Sequence, residues 1–350
     1  MTRAERHPFR LGALVLGACL AWLPAAFAQS DQEQSLTKKD PKEAEAERQI
    51  EELMSAVVRV RMRALSDARS SATLGPSREG SGIVIEPGWV LTIGYLVIEP
   101  DAIEVTTLKN RTLPATLAGY DHASGFGLLK VQGELGVKAL PLGDSGALSV
   151  RDAVLVVPHN GQENASVAQV MSKRRFAGSW EYLLETAIFT APPSYTWAGA
   201  ALVNREFQLV GVGSLLVRDT VEPGVPQPGN MFVPTNLLKP ILAQLKAQGR
   251  AAGPQRPWLG LATEEVQGRL FVTRVSPESP ADQAGIRQGD IVMSVGKDAV
   301  KTHVELYEKI WALGAAGVEV PMKILQGADV RDVRVKSSDR CEYFKAKKPL

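Results

Sequence analysis

The sequence predicts a mainly-β fold of barrels or sandwiches. Short apolar or alternating stretches follow one another from residue 56 and are separated by turn residues. No helical periodicity interrupts them before residue 236, which argues against a doubly wound sheet. The chain has 350 residues, 45% of them hydrophobic and 22% charged, so it can form two domains or slightly more. The strand-like stretches include "AVVRVRMRAL", "GSGIVIEPGWVLTI", "AIEVTTL", "LPATLAGYD", "GFGLLKV", "DAVLVVP", "ASVAQVMSK", "YLLETAIF" and "AALVNREFQLVGVGSLLV".

The first 28 residues predict a secretory signal peptide. Arg3, Arg6 and Arg10 precede the apolar segment "LGALVLGACLAWL", and the small-residue site "AFA" ends at Ala28. This apolar segment is shorter than the ~20 residues that a membrane-spanning helix needs. Alternatively, "LGAC" resembles a lipoprotein box, and cleavage before Cys19 would leave a lipid-anchored thiol. We therefore expect a periplasmic or secreted protein, or a lipoprotein anchored through Cys19.

Two helices are predicted outside the β-rich region. Residues 29–54 are rich in charge and helix formers, and we expect a flexible lead into a short helix. The stretch "NLLKPILAQLKAQG" predicts a second helix, with Asn236 as its N-cap and Gly249 as its stop. The stretch "RAAGPQRP" then reads as a linker.

Charge and cysteine content narrow the function classes. The 40 Lys and Arg residues nearly balance the 38 Asp and Glu residues, so the net charge of +2 gives no support for a nucleic-acid partner. Cleavage after Ala28 leaves Cys341 as the remaining thiol, so we expect no internal disulfide. No His, Cys, Asp and Glu residues have ligand spacing. We expect neither a metal nor a cofactor.

The order and wording of several stretches resemble the HtrA (DegP-type) family of trypsin-like serine proteases. These stretches are "GSGIVI", "GWVLT", "LPLGDSGALSVRDAVLVV", "ALVNREFQLVGV", "FVPTNLLKPILAQL", "RPWLGL" and "VTRVSPESPADQAGIRQGDIVMSVGKDAV". The resemblance covers about residues 56–338. It implies a trypsin-like double β-barrel, a connecting helix and an α+β PDZ domain. The expected divisions are a signal peptide (1–28), a charged segment with a short helix (29–54), a degenerate double barrel (55–240), a linker (241–255), a PDZ domain (256–338) and a polar tail (339–350).

The catalytic triad that the family places in the barrel is absent from the matching positions. "LTIGYLV" has Tyr95 where the histidine belongs, "DHASGFGLL" has Gly125 at the aspartate, and "TWAGAALV" has Ala198 at the serine. Alanine has no oxygen to attack a carbonyl, a phenol with a pKa near 10 is a poor base, and glycine cannot orient an imidazole. Thr196 and Trp197 also replace residues of a tight turn that glycine suits, which puts the oxyanion hole in doubt. The resemblance therefore implies a pseudoprotease.

Other residues could in principle replace the triad. His122 adjoins Asp121, while His159 is the other histidine of the expected barrel domain. Ser194 and Thr196 are the hydroxyls next to the old serine position. A working nucleophile, base and oxyanion site must agree to within about an ångström, so we expect surface histidines and ordinary loop hydroxyls instead.

The resemblance implies a peptide-binding groove in the PDZ domain. "RPWLGL" matches the carboxylate-binding loop, so the N–H groups of Leu259, Gly260 and Leu261 would receive a peptide C-terminus. The strand from Leu261 would pair with the peptide, and Trp258 with Ile286 suggests an apolar pocket for an apolar last residue. The helix "HVELYEKIWAL" has a capping box at Thr302 and Glu305, and Gly314 follows it. Two of its aromatics, Tyr307 and Trp311, could reach the groove, whereas Leu306, Ile310 and Leu313 are expected in the core.

Two functions of different classes follow. One is an exported pseudoprotease that binds peptide C-termini or unfolded proteins as a chaperone, scaffold or regulatory subunit. The other is an active serine endopeptidase with rewired residues. The family resemblance also implies a homotrimer or association with an active HtrA paralogue as partners, with no nucleic acid.

Overall fold

The computed structural model describes residues 41–346, and the mainly-β expectation is confirmed. Residues 1–28, which we expect to be a signal peptide and which include Cys19, lie outside the described residues, as do residues 29–40 and the last four residues of the chain. The two barrels, the helix after them and the third sheet belong to one compact unit that begins at Glu45.

The first barrel closes in the order β1-β2-β3-β6-β5-β4. Alternation of apolar residues with arginine in β1 places valine and methionine inside and arginine toward solvent, as period-2 patterning predicts. Helix α1 precedes the barrel and packs Leu53 into its core. The elements are α1 (Pro41–Ala56), β1 (Val57–Ala64), α2 (Ser71–Leu74), β2 (Ser77–Glu86), β3 (Trp89–Ile93), β4 (Pro100–Thr106), β5 (Thr112–Tyr120) and β6 (Phe126–Val131).

The second barrel closes in the order β10-β11-β12-β9-β8-β7. Its longest hairpin joins β8 to β9, and Gly178 pairs with Tyr182 at the last rung before the turn. We call residues 178–183 the hairpin tip. The strands are β7 (Ala153–Val157), β8 (Ser166–Gly178), β9 (Tyr182–Ala191), β10 (Ala201–Val203), β11 (Leu209–Val217) and β12 (Gly229–Pro234).

The connecting helix is shorter than expected and begins later. A 3-10 turn, Thr235–Leu237, is followed by α3 (Leu242–Gln248). Pro240 lacks an N–H, which favours a break in the helix there, and Asn236 donates its side-chain amide to Asp144 over 2.6 Å instead of capping. Gly249 does end the helix, in the left-handed conformation. Residues 241–255, expected as a linker, therefore contain this helix.

The third sheet has the order β13-β14-β15-β17-β18, with β16 paired to β15. One side of β13 pairs with β14, and its other edge faces away from the sheet path. Helix α5 starts at the expected cap, because the Thr302 hydroxyl accepts the N–H of Glu305. The elements are β13 (Leu261–Val266), β14 (Arg269–Val275), α4 (Pro280–Gln283), β15 (Ile291–Val295), β16 (Asp298–Ala299), α5 (His303–Ala312), β17 (Glu319–Gln326), β18 (Asp329–Lys336) and α6 (Arg340–Tyr343).

The described part of the expected polar tail, residues 339–346, contacts the rest of the protein. Tyr343 contacts the ring of Trp258 at 4.6 Å between centroids, and the Arg69 guanidinium lies 4.4 Å from the centre of the Tyr343 ring. The backbone N–H of Lys345 donates to Glu99 over 2.9 Å. The segment that the sequence predicts as a polar tail therefore packs on the protein through Tyr343 and a backbone hydrogen bond of Lys345. The sequence interpretation did not predict these contacts.

Candidate functional site

The three positions at which the family places its triad lie close together between the barrels. Tyr95 belongs to the 3-10 turn Gly94–Leu96 directly after β3, and the N–H of Gly94 donates to the carbonyl of Gly125 over 2.7 Å. The Tyr95 hydroxyl crosses to the second barrel and donates to the carbonyl of Ser214 over 2.8 Å. Next to Ser214, the N–H of Gly213 donates to the carbonyl of Ala200, two residues after Ala198.

The side chains at these positions offer no group for acyl transfer. Ala198 presents a methyl group, and Gly125 presents no side chain. Burial raises the pKa of Tyr95 above its usual value, which makes the phenol a still weaker base at neutral pH. These three positions therefore supply neither a nucleophile nor a proton acceptor for acyl transfer.

Tyr182 occupies the space where a longer side chain at residue 125 would begin. Its hydroxyl donates to the carbonyl of Ser124 over 2.6 Å. A Cβ atom on Gly125 would lie 3.0 Å from that hydroxyl, and the residue has a φ of +84°. An aspartate at this position would therefore need a strained backbone and a small shift of Tyr182.

Backbone hydrogen bonds to residues 81 and 213 fix the loop at residues 197–200. Gly199 has a φ of +72°, and a Cβ there would lie 1.9 Å from the carbonyl oxygen of Ser81. The N–H of Gly199 donates to Gly213, and that of Ser81 donates to Ala198, over 2.9 and 2.8 Å. The N–H of Gly199 is therefore already hydrogen-bonded within the protein. Thr196 and Trp197 remain partly buried beside it.

The residues considered as substitutes do not form a catalytic pair. The Nε2 atom of His122 lies 2.8 Å from the Arg340 guanidinium, and desolvation, aided by that cation, lowers the His122 pKa well below its usual value. Asp121 accepts the hydroxyl of Ser124 over 2.5 Å. Ser194 is buried, with its backbone bonded to the side-chain amide of Asn230.

The structure also joins a serine and a histidine that the sequence did not connect. The Ser81 hydroxyl lies 3.2 Å from Nδ1 of His159, whose Nε2 is 3.7 Å from the Glu79 carboxylate. Ser81 also accepts the backbone N–H of His159 over 3.0 Å and is fully buried. A buried hydroxyl cannot meet a substrate carbonyl, so this group ties β2 to the segment after β7. Ser81 lies in the stretch "EGSG". The family resemblance explained this stretch only as part of a strand, so it did not point to a contact with His159.

The predicted carboxylate-binding loop already holds a carboxylate. The N–H groups of Leu259, Gly260 and Leu261, which we call the carboxylate cradle, all donate to the side chain of Glu181 over 2.8 Å. Glu181 lies in the hairpin tip of the second barrel, and it is 4% exposed. Gly260 has a φ of +88°, and a Cβ there would lie 2.3 Å from that of Ser279. Glycine is therefore required for the cradle to form.

The electrostatics of Glu181 are set by competition between burial and hydrogen bonding. Desolvation raises the pKa of Glu181 to about 7, although the three cradle N–H groups and Arg340 each favour the ionised form. The Arg340 guanidinium donates to the carbonyl of the neighbouring Trp180 over 3.1 Å. No feature of the sequence around Glu181 predicted that its carboxylate accepts the cradle N–H groups.

Of the other groove residues predicted from the sequence, Trp258 and Tyr307 are buried and Trp311 is partly buried. The Tyr307 hydroxyl donates to the carbonyl of Gly178 over 2.6 Å and accepts the N–H of Glu181 over 3.1 Å. Trp258 forms a β-bridge with Ser338, and Trp311 donates its indole N–H to the carbonyl of Pro257 over 3.2 Å. Leu306, Ile310 and Ile286 belong to the PDZ-side core. Leu313 is 41% exposed, contrary to the expectation that it packs there.

Within residues 41–346, no group of three or more His, Cys, Asp and Glu side chains is placed to hold a metal ion. None of the helices in the same range is both long and apolar enough to cross a membrane.

A trypsin-like double barrel followed by a PDZ domain is the class that this architecture defines. Residues 80–212 match the model of the trypsin-like peptidase domain, and residues 257–337 match that of the PDZ domain. Both domains, their order and the curated relatives that match the chain support the HtrA (DegP-type) family.

Curated relatives match this chain over part of their own, longer chains. The chain is 28% identical over 274 residues to a probable periplasmic serine endoprotease DegP-like of Hahella chejuensis, covering 73% of this chain and 56% of that one. It is 26% identical over 254 residues to the periplasmic serine endoprotease DegP of Escherichia coli, covering 66% and 51%. The chain thus spans about half the length of these relatives. A solved variant of the HtrA-type protease AlgW with a tripeptide shares the fold, with a TM-score of 0.50, 18% identity and coverage of 83% and 96%.

Proposed function

We propose that this protein is an exported HtrA-like pseudoprotease that captures peptide C-termini or unfolded segments through its PDZ domain. It would act as a chaperone, scaffold or regulatory subunit in protein quality control of the cell envelope. The observation that carries the proposal is the set of side chains at the three triad positions: a partly buried phenol, a hydrogen and a methyl group at residues 95, 125 and 198.

The expected loss of activity is large. Removing a serine or histidine from such a triad costs about 10⁶ in kcat, and what remains comes from substrate binding and the oxyanion hole. Here the serine, histidine and aspartate are all replaced, by Ala198, Tyr95 and Gly125. Peptide binding by the PDZ domain does not depend on these groups, so it can persist without proteolysis.

The proposed location and partners of the protein are based on the names of its relatives and on the first 28 residues. Relatives from three genera are named as periplasmic, and the first 28 residues read as an export signal. We therefore place the protein in the periplasm, either free or anchored through Cys19. Self-association as a trimer, or assembly with an active HtrA paralogue, is part of the same proposal.

Proteolysis is tested with the purified chain that begins at Gln29. We expect casein to remain intact over hours at 37 °C, with an active HtrA protease as the positive control. The rival function is an active endopeptidase with rewired residues. Cleavage that survives repurification and disappears in Ser81→Ala, Ser194→Ala, His122→Ala or His159→Ala would establish that rival and overturn the pseudoprotease.

Peptide capture is tested with an immobilised library of decapeptides that have free C-termini. We expect binding that requires the free carboxylate and favours an apolar last residue. Gly260→Ala should abolish it, because the added methyl group collides with Ser279. The matched control is Gly268→Ala, which has a comparable φ of +71° but open space around the position. Equal binding by amidated peptides would contradict C-terminal capture.

A further inference from the structure

The hairpin tip meets the PDZ domain through the same kinds of contact as a bound peptide. A peptide C-terminus is recognised by a carboxylate in the backbone nest, a strand added to the sheet edge and an apolar side chain in a pocket. The Glu181 carboxylate supplies the first of these, with one oxygen accepting from Leu259 and the other from Gly260 and Leu261.

The strand edge is engaged as well. The N–H of Thr263, on the free edge of β13, donates to the carbonyl of Ser179 over 3.0 Å. An incoming peptide would need this donor for its own backbone. The hairpin tip thus occupies the edge of β13 at which a bound peptide would add a strand to the sheet.

An apolar side chain from the hairpin completes the set. Leu183 is 4% exposed and belongs to the buried cluster of the PDZ domain, with Leu259, Leu261 and Ile286. Its other members come from the PDZ domain itself, so Leu183 enters this cluster as a residue of the barrel domain.

The hairpin tip is shaped to present Glu181. Glu181 has a φ of +59°, a left-handed conformation that glycine would adopt at lower cost. Tyr307 holds the backbone on both sides, because its hydroxyl accepts from Glu181 and donates to Gly178.

We propose that the hairpin tip is an internal ligand that closes the peptide groove, and that an external C-terminus with an apolar last residue binds by displacing it. This proposal rests on the proposed function, since it concerns the regulation of the same groove. The groove is closed in the resting protein. Capture of a peptide releases residues 178–183, and with them Tyr182, which fills the space beside Gly125.

The size of the effect follows from competition. A tethered ligand competes at its effective concentration, which is in the millimolar range for short connections. The apparent affinity for a peptide falls by the fraction of molecules whose groove is open. Loss of the Glu181 carboxylate should therefore tighten peptide binding at least tenfold.

The test compares the mature full-length protein with Glu181→Ala and with Glu185→Gln. Glu185 lies on β9 of the same hairpin, 68% exposed and paired with Arg175, so it controls for a change of charge. The probe is a pool of fluorescent decapeptides of random sequence that end in Leu, Val or Phe, beside the same pool amidated. We expect Glu181→Ala to bind the free-acid pool at least tenfold more tightly than the parent and Glu185→Gln to match the parent. Equal affinity of Glu181→Ala and the parent would overturn the internal ligand while leaving peptide capture intact.

Hydrogen exchange gives a second reading that needs no ligand. The amides of residues 259–261 should exchange faster in Glu181→Ala than in the parent, since their acceptor is gone. Unchanged exchange there would overturn the internal ligand. If no variant binds peptide while this exchange is accelerated, the groove is occupied as proposed and peptide capture itself fails.

A third measurement uses the unmodified protein, so its result does not depend on whether a variant folds. Adding the free-acid pool at saturation should accelerate exchange across residues 178–183, because the hairpin tip leaves the groove. Tyr307→Phe, which removes one donor and one acceptor but leaves the cradle intact, should bind more tightly by a smaller factor. Peptide binding with an unchanged exchange rate in the hairpin tip would contradict displacement.

Discussion

The backbone N–H of Gly260 donates to the side-chain carboxylate of Glu181 over 2.8 Å, joining residues 79 positions apart in the chain. One partner lies in the glycine loop that the sequence predicts to bind a peptide C-terminus, and the other lies in a barrel hairpin. The residue after Glu181, Tyr182, contacts the segment beside Gly125. One hairpin therefore contacts both the groove and the former aspartate position.

The stability of the protein should depend on pH through Glu181. Its pKa rises from 4.5 to about 7 on folding, so the folded state holds more protons between these values and the free energy of unfolding falls as pH rises through them. The effect is on the order of 3 kcal/mol. We expect Glu181→Gln to lack this fall when urea midpoints are compared between pH 5 and 8.

Three other titratable groups face the same site: His122, Arg340 and Tyr307. The lowered pKa of His122 gives the opposite sign, since neutral His122 stabilises the folded state more as pH rises through its unfolded value near 6.5. Both proteins share it, so the difference between them isolates Glu181. Parallel stability curves for the parent and Glu181→Gln would contradict the assignment.

Restoring the three triad residues should not restore proteolysis. In the variant Tyr95→His, Gly125→Asp, Ala198→Ser, the aspartate would have to adopt a φ of +84° with its Cβ 3.0 Å from the Tyr182 hydroxyl. We expect casein to stay intact and the free energy of unfolding to drop by about 1–3 kcal/mol for Gly125→Asp alone. Adding Tyr182→Ala removes the obstruction and serves as the comparison. Rapid casein cleavage by the triple variant would show that the site is less closed than its packing indicates.

The two glycine variants of the PDZ domain should differ in stability. Gly260→Ala combines a positive φ with a contact of 2.3 Å to the Ser279 Cβ, and we expect a loss of about 2–4 kcal/mol. Gly268→Ala meets only the backbone cost, about 1–2 kcal/mol. Urea denaturation measures both. Equal losses would mean that the loop at Gly260 relaxes away from Ser279.

The C-terminal segment should support the hairpin tip. A chain that ends at Asp339 loses Arg340, which donates to the carbonyl of Trp180 and lies against His122. We expect a melting temperature lower by roughly 4 °C, for a loss of about 1–2 kcal/mol. The pKa of His122, followed by NMR, should rise toward its usual value, because Arg340 helps to lower it. A chain that ends at Ala346 is the control, and identical behaviour of the two truncations would refute this role.

The sequence predicted the β-rich barrels, the PDZ domain and the altered triad because these depend on local patterns. Alternation in "AVVRVRMRAL" selects a strand face, and the wording around Tyr95, Gly125 and Ala198 places these residues in known loops. Short-range patterning also gave the Thr302 cap and the stop at Gly249. It failed at Asn236, where the proline four residues later and the partner Asp144 decided the outcome.

Only the tertiary structure decided what fills the peptide groove. Glu181 is far from the cradle in sequence, and nothing in "SWEYLL" distinguishes it from an exposed hairpin glutamate. Its role comes from the way the barrel and the PDZ domain pack, which brings a carboxylate to three aligned N–H groups. The same holds for Tyr182 beside Gly125 and for the tail residues on Glu99 and Arg69. Local propensity cannot encode such contacts, because they depend on where distant segments meet once the core has formed.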